Sequence, residues 1–540
     1  MAKEFGREVV SSDRSKKPRS VDDTIQLEKT GSHNVGQVED FDISRLGLEP
    51  QTTRDMGILA VIAMGWNICN SWAAAAATLA ISIASGGPVT LLYGIVLIFV
   101  LGEACALSMA EIASVYPTSG GQYHYTSILA PKRLSRALSY CCGSLNVFGW
   151  ITLAAGCAIT IPQMITALVT YLDPTYVSQR WHMFLMYQAV NVAFTGYNIL
   201  LIKRTAWIYD VGFVVSIAGI LVITVTCLAR AQPKQPNEFV WSTFINTTGW
   251  PSDGIAFLTG LVNANFIYSG LDGAIHIAEE CTNAAMAVPW ALISTVTIGF
   301  VTAFAFAVAM TYSYNDFDAV LASPLPVFEV WLQAVSSPAA AIIFLFILLV
   351  CACFAVIGIL QTASRLLWCF ARDDALVGSH RLSRIHSKLG VPVWALLVNC
   401  ALVFILGCVY LGSTSAFNAL LGTGLILQQL SFGIPAALIL GYRFGGQRAV
   451  DKILSPHGQK GRFRLPSAVG FVANALTIVH GLVALVFYTL PVQLPVTASN
   501  MNYACAVLGI AALFTFGNWI WYASKRYHGP RLDDRDSVLL

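Results

Sequence analysis

Twelve stretches of roughly twenty or more predominantly apolar residues follow one another along this 540-residue chain. They lie at 56–85, 88–115, 138–171, 181–201, 206–228, 254–278, 288–312, 338–360, 391–411, 416–440, 466–490 and 502–522. About 20 such residues carry a helix across the hydrocarbon core of a bilayer. Inside that core only helices and closed barrels satisfy every backbone polar group. The pattern therefore predicts an all-α integral membrane protein with twelve transmembrane helices. Charge placement agrees. Of the 32 basic and 29 acidic residues, 20 fall in 1–55 and 7 in 523–540, leaving 34 over the remaining 467. That is roughly 7%, against about 25% in soluble domains. A soluble enzyme is excluded, and a net charge of +3 spread along the chain does not suit nucleic acid.

Loop charges orient the spans. Loops after even-numbered spans carry sixteen Lys and Arg, those after odd-numbered spans only Arg180, Arg230 and Lys234. By the positive-inside rule both termini are expected in the cytoplasm. Residues 1–55, rich in Ser and charge, read as a disordered cytoplasmic tail, and 523–540 as a cytoplasmic C-terminal tail. The tail serines and lysines offer regulatory sites. No cleavable leader is evident, so the first span is expected to direct insertion. Asn246 heads the Asn-Thr-Thr glycosylation sequon in an expected outer loop. The thirteen cysteines have no metal-ligand spacing and read as small apolar residues. Neither a metal nor a cofactor is expected.

Two spans are interrupted. The first contains Met-Gly-Trp-Asn-Ile-Cys-Asn-Ser-Trp at 64–72, the sixth Asn-Ala-Asn-Phe-Ile-Tyr-Ser-Gly-Leu-Asp-Gly at 263–273. Unpartnered asparagines in a bilayer are costly, and Gly65 and Gly270 tolerate irregular backbone. The breaks lie five spans apart, so they open two five-helix units, 56–228 and 254–440, inverted relative to each other. Spans 466–522 are then additional. Paired broken helices point to a transporter site, whereas small residues can also serve close helix packing.

At this point the chain resembles a known group. Ala-Glu-Ile-Ala-Ser-Val-Tyr-Pro-Thr-Ser-Gly-Gly-Gln-Tyr at 110–123, and Tyr-Ser-Gly-Leu-Asp-Gly-Ala-Ile-His-Ile-Ala-Glu-Glu at 268–280 with Val288-Pro289, look like the amino acid–polyamine–organocation superfamily. Further motifs, such as Phe-Ala-Arg-Asp-Asp at 370–374, are similar to its fungal amino acid/choline transporter branch, and to choline permeases within it. The likeness covers about 50–523. It implies the leucine-transporter-type 5+5 inverted repeat plus two helices, and import across the plasma membrane by alternating access.

The substrate is expected between the two breaks, at Gly65, Trp66, Asn67, Asn70, Ser71, Phe266, Tyr268 and Gly270. Free amides near Asn70 and Ser71 suit an anionic group, and carbonyls near Met64 and Gly65 an ammonium. Trp66, Trp72, Phe266 and Tyr268 supply faces for a cation; each is also an ordinary packing residue. No Lys or Arg lies mid-span, which leans toward a cationic or zwitterionic substrate. Intramembrane acids are candidates for proton coupling or gating: Asp272, His276 and Glu279 at helical spacing, Glu103 in the second span, and Asp210 at the start of the fifth. Asp272 can instead cap the second half of its helix, and Glu103 can be a packing group. Phe328, Glu329 and Trp331 suggest an outer lid.

The leading expectation is a permease for choline-like amines or amino acids, with H⁺ as co-substrate, rather than an enzyme. Amino acid or γ-aminobutyrate transport is the alternative within the class, and a nutrient sensor of the same fold the alternative outside it. A major facilitator fold is disfavoured by the short, acidic 6–7 loop. No hydrolase motif and no ATP-binding loop appears.

Overall fold

Long runs of Ala, Leu, Ile and Val, punctuated by Gly and Pro, make helix the only economical backbone state in a bilayer, and the computed structural model is helical almost throughout. It describes residues 51–205, 207–455, 461–498 and 500–530. Residues 1–50 of the tail expected to be disordered, and 531–540 of the C-terminal tail, lie outside the described residues.

The first span divides into α1 (Ile58–Cys69) and α2 (Ser71–Ala77), followed by a short α3 (Leu79–Ala84). A two-residue strand β1 (Ser85–Gly86) leads into α4 (Gly87–Ala113), which is followed by the short α5 (Gln122–Leu129). Next come α6 (Ser135–Leu172), α7 (Arg180–Leu200) and α8 (Ile208–Arg230). Strand β2 (Ile245–Asn246) pairs antiparallel with β1, and α9 (Asp253–Phe266) and α10 (Gly273–His276) are the two parts of the sixth span. The longer helices that follow are α11 (Ala284–Ser313), α12 (Pro326–Val335), α13 (Pro338–Arg372), α14 (Val393–Gly412), α15 (Thr414–Phe444), α16 (Ser467–Phe487) and α17 (Ala504–Asn518).

Among the described residues, ten helices are long and apolar enough to cross a membrane. Helix α7 has 21 residues but carries Arg180, His182, Gln188 and two asparagines, and the sixth span is divided; neither is among the ten. Two expectations shift. The eighth span was expected to end at 360, but α13 continues to Arg372 and draws Arg365 into the interior at 2% exposure. The interior therefore does contain arginines, Arg365 and, in α15, Arg443.

The two ends of the bundle differ chemically. One gathers the Lys- and Arg-rich connections: Lys203 meets Glu280, Arg372 meets Glu279, Arg443 meets Glu111, and Arg136 Nη2 donates to the Ser524 carbonyl. At the other end no ion pair forms among the described residues. There β1 pairs with β2, Leu494 N donates to Thr248 O at 2.7 Å, and α12 buries Phe328 and Trp331. Glu329, partly buried, accepts from Gln333.

Candidate functional site

Asn70 adopts the left-handed conformation, φ 34°, ψ 60°, and this single residue separates α1 from α2. Asparagine is among the few residues that visit this region readily. The break thus lies at Asn70 and not at Gly65, which is helical within α1 and packs against Thr295. The second break runs from Ile267 to Asp272, with Gly270 at φ +80°. The two meet: Ser71 Oγ donates to Ile267 O at 2.9 Å and Cys69 Sγ to Ser269 O at 3.4 Å. Gly270 N approaches Gln428 Oε1 of α15 at 3.4 Å.

The sequence-expected residues fall into three groups. Ser71, Tyr268 and Gly270 lie where the breaks touch, with Phe266, half-buried, just before the second. The Tyr268 ring packs on Gly102, and among the described residues its hydroxyl has no partner. Trp66, Asn67 and Asn70 turn instead toward α8. Trp66 meets Phe213 edge-on at 6.0 Å, Asn67 Nδ2 donates to Tyr209 O at 2.6 Å, and Asn70 Oδ1 accepts from Ser216 Oγ at 2.8 Å. Trp72 Nε1 donates to the same Ser216. Gly65 is one turn away, on the α11 side.

The acids separate as well. Asp272 stands at the start of α10 but makes no capping bond. Its Oδ2 accepts from Gln122 Nε2 at 2.7 Å and Trp150 Nε1 at 3.2 Å, and lies 2.9 Å from His276 Nε2. Glu279 forms a two-pronged pair with Arg372 at 2.8 and 2.9 Å and accepts from Ser119 N. Glu103 is half-buried and interacts with Thr297 on α11, and among the described residues its Oε2 has no partner. Asp210 is exposed at the start of α8. Asn246 sits in β2, where Nδ2 donates to Trp250 O and Asp253 Oδ1. A glycan there would replace one of those two hydrogens, and Thr248 of the sequon is fully buried.

Four residues not singled out from the sequence complete this region: Gln122, Asn146, Trp150 and Gln428. Gln122 opens the short α5, Asn146 and Trp150 lie in α6 and Gln428 in α15, and only the tertiary fold brings them to the second break.

The basic end is closed by a clamp around Glu279 and Glu280. Arg365 Nε reaches Glu280 at 2.8 Å and Lys203 Nζ at 2.6 Å. Burial alone would raise the Glu280 carboxyl, but the guanidinium of Arg365 and the ammonium of Lys203 outweigh it and hold it at about 2. A depressed carboxylate stabilises the fold fully above its unfolded value near 4.5 and loses that contribution as pH falls through about 2. The melting-temperature difference between wild type and Glu280→Gln is thus expected to persist from about pH 8 to about pH 5 and to shrink only below about pH 4.5. A difference that vanished between pH 7 and pH 5 would refute this.

The segment before α1 is tied into the clamp. Asp55 N and Met56 N donate to Glu280 O, Thr52 Oγ1 to Glu279 O, and Thr282 N to Met56 O. The start of the first span and the end of the sixth are therefore joined by main-chain bonds.

With this geometry in view, comparison with known proteins is decisive at one level. Residues 56–512 match the family described as amino acid permease. The chain belongs to the amino acid permease family. As an amino acid permease of the amino acid–polyamine–organocation superfamily, it is a multi-pass membrane transporter, and its relatives are transporters rather than enzymes. A choline transporter of Saccharomyces cerevisiae is 30% identical over 485 residues, covering 89% of this chain and 83% of the relative. A swainsonine transporter of Arthroderma benhamiae is 31% identical over 483 residues, covering 89% and 93%. A 7-keto 8-aminopelargonic acid transporter of S. cerevisiae is 26% identical over 511 residues, covering 84% and 89%. These relatives carry chemically different cargoes, so membership in the permease family does not by itself specify one.

Proposed function

We propose that this permease is a secondary active transporter that imports choline-like amines or amino acids, with H⁺ as co-substrate, by alternating access. The observation that carries the reading is the contact of the two helix breaks, where Ser71 Oγ bonds to Ile267 O. Amides and carbonyls freed from helical bonding can bind a small polar solute there without a charged side chain. Twelve spans follow if α7 and the paired α9–α10 cross the bilayer alongside the ten, giving a leucine-transporter-type 5+5 inverted repeat (56–228 and 254–440) plus two helices. The basic end then faces the cytoplasm, with both termini on that side of the plasma membrane. The ion-paired clamp closes that face.

Two features favour a cation or zwitterion over an anion. Among the described residues, Asp272 Oδ1 is buried without a partner beside the second break, and the buried Arg365 is committed to Glu280. The 30% identity to a choline transporter points the same way. Uptake of radiolabelled choline in transporter-deficient cells is expected to be saturable and blocked by excess unlabelled choline, with γ-aminobutyrate and neutral amino acids competing weakly. Strong competition by zwitterions, with none by choline, would replace the amine reading with the amino acid one.

A further inference from the structure

Asp272 and His276 face one another one turn apart, both completely buried, and their neighbours determine how many hydrogens they hold. His276 Nδ1 lies 2.9 Å from the carbonyl oxygen of Ser119, which can only accept, so Nδ1 carries a hydrogen. A neutral imidazole has one N–H. With it on Nδ1, Nε2 would be a bare lone pair aimed at Asp272 Oδ2, 2.9 Å away. That oxygen already accepts from Gln122 and Trp150, whose indole N–H is a donor only. Two lone pairs at this separation repel. A proton between them removes the conflict, leaving an imidazolium–carboxylate pair, or its neutral tautomer, of zero net charge. The surrounding amides hold this arrangement: Asn146 Nδ2 donates to Gln122 Oε1 at 2.9 Å, which turns the Gln122 amide hydrogens toward Asp272.

The pocket can also serve the other state. Asn146 Nδ2 stands 3.2 Å from His276 Nε2 and can donate to it once the proton has gone. Asp272 Oδ1, without a partner, can then accept from water or from an ammonium. Ionisable groups around Asp272 include Cys69 from α1, Cys105 from α4 and Tyr125 from α5, a phenol and two thiols. The charged neighbours along the chain, Glu279 and Arg372, are paired with each other. Glu103 faces Thr297, and Asp210 is exposed.

We propose that the Asp272–His276 pair, held by Gln122, Asn146 and Trp150, is the proton carrier of the transport cycle, binding one proton in the clamped state seen here. Release passes the Nε2 proton to a water molecule as hydronium and leaves a carboxylate beside a neutral imidazole. The proposal rests on the transport reading above and names the group that carries its co-substrate.

The test uses full-length protein in proteoliposomes with a pH gradient, alkaline inside, and the membrane potential clamped at zero. The probes are radiolabelled choline and a labelled amino acid mixture. One proton per solute at one pH unit gives about tenfold accumulation, which is expected of wild type and of the neutral control Gly433→Val. His276→Gln offers Asp272 an N–H that does not titrate. It and Asp272→Asn are expected to lose accumulation while keeping solute counterflow, which requires a folded site but no net proton movement. Gradient-driven accumulation by both variants, or by a wild type indifferent to the gradient, overturns the proposal and leaves the transport reading standing. Loss of counterflow in both variants assigns the pair to structure and overturns it too. Absence of any wild-type uptake in either mode overturns the transport reading itself.

Discussion

Replacing Gly270 by valine is expected to reduce uptake to background while leaving surface expression close to wild type. Gly270 holds φ at +80°, a region that costs a residue with a Cβ about 1–2 kcal/mol. A Cβ here would also stand 2.7 Å from Ile68 Cγ2 and 3.3 Å from Trp150 Cη2, and the second γ-methyl of valine adds to the crowding. Overpacking of this kind costs about 1–3 kcal/mol, within the 5–15 kcal/mol by which folded domains are typically stable. The strain falls on the contact between the two breaks, so the site should be lost before the fold. Gly433 on α15, where a Cβ would meet nothing within 4 Å, is the matched control, and Gly433→Val is expected to transport normally. Radiolabelled uptake beside surface biotinylation reads the result. Normal uptake by Gly270→Val would move the site away from the breaks.

Arg372→Ala is expected to open the basic end. Glu279 is 4% exposed, and its guanidinium partner supplies both of its ionic bonds. Removing one member of a buried pair costs about 3–5 kcal/mol, because the remaining charge stays uncompensated. The closed state should bear that cost, since an opened clamp would let water reach Glu279. A natural reporter sits beside the pair: Cys369 is buried, with Arg372 Nη2 3.7 Å from its sulfur. Labelling of Cys369 by a membrane-impermeant maleimide added from the basic side, followed by mass spectrometry, is expected to rise on the order of tenfold or more in Arg372→Ala. Exchanging the charges, Glu279→Arg with Arg372→Glu, should reverse much of the increase. Unchanged labelling would show that this pair does not hold the end closed.

Much of the fold was legible because the bilayer imposes a length and a polarity on each helix. Apart from the end of α13, apolar runs located the long helices within a few residues, and the breaks were visible as Asn, Ser and Gly where lipid would favour Leu. Details that depend on packing were not legible. Gly65 looked like the weak point of the first span, yet Asn70 breaks it, since Gly65 is needed small against Thr295. The end of α13 was hidden because Arg365 and Arg372 look like loop residues until Glu280 and Glu279 are seen to neutralise them. The pattern showed that Asp272 and His276 share a face. It could not show that Gln122, Asn146 and Trp150 converge on them from two other helices.

The bonds joining residues 52–56 to the carbonyls of Glu279 and Glu280 have a mechanical meaning. Both discontinuous helices are moored to a single point, so neither can swing at that end without carrying the other. A load applied to residues 52–56 would be delivered to that mooring and, through the Asp55–Lys203 ion pair, to the connection between α7 and α8. The segment is thus placed to act as a handle on both arms of the transporter at once.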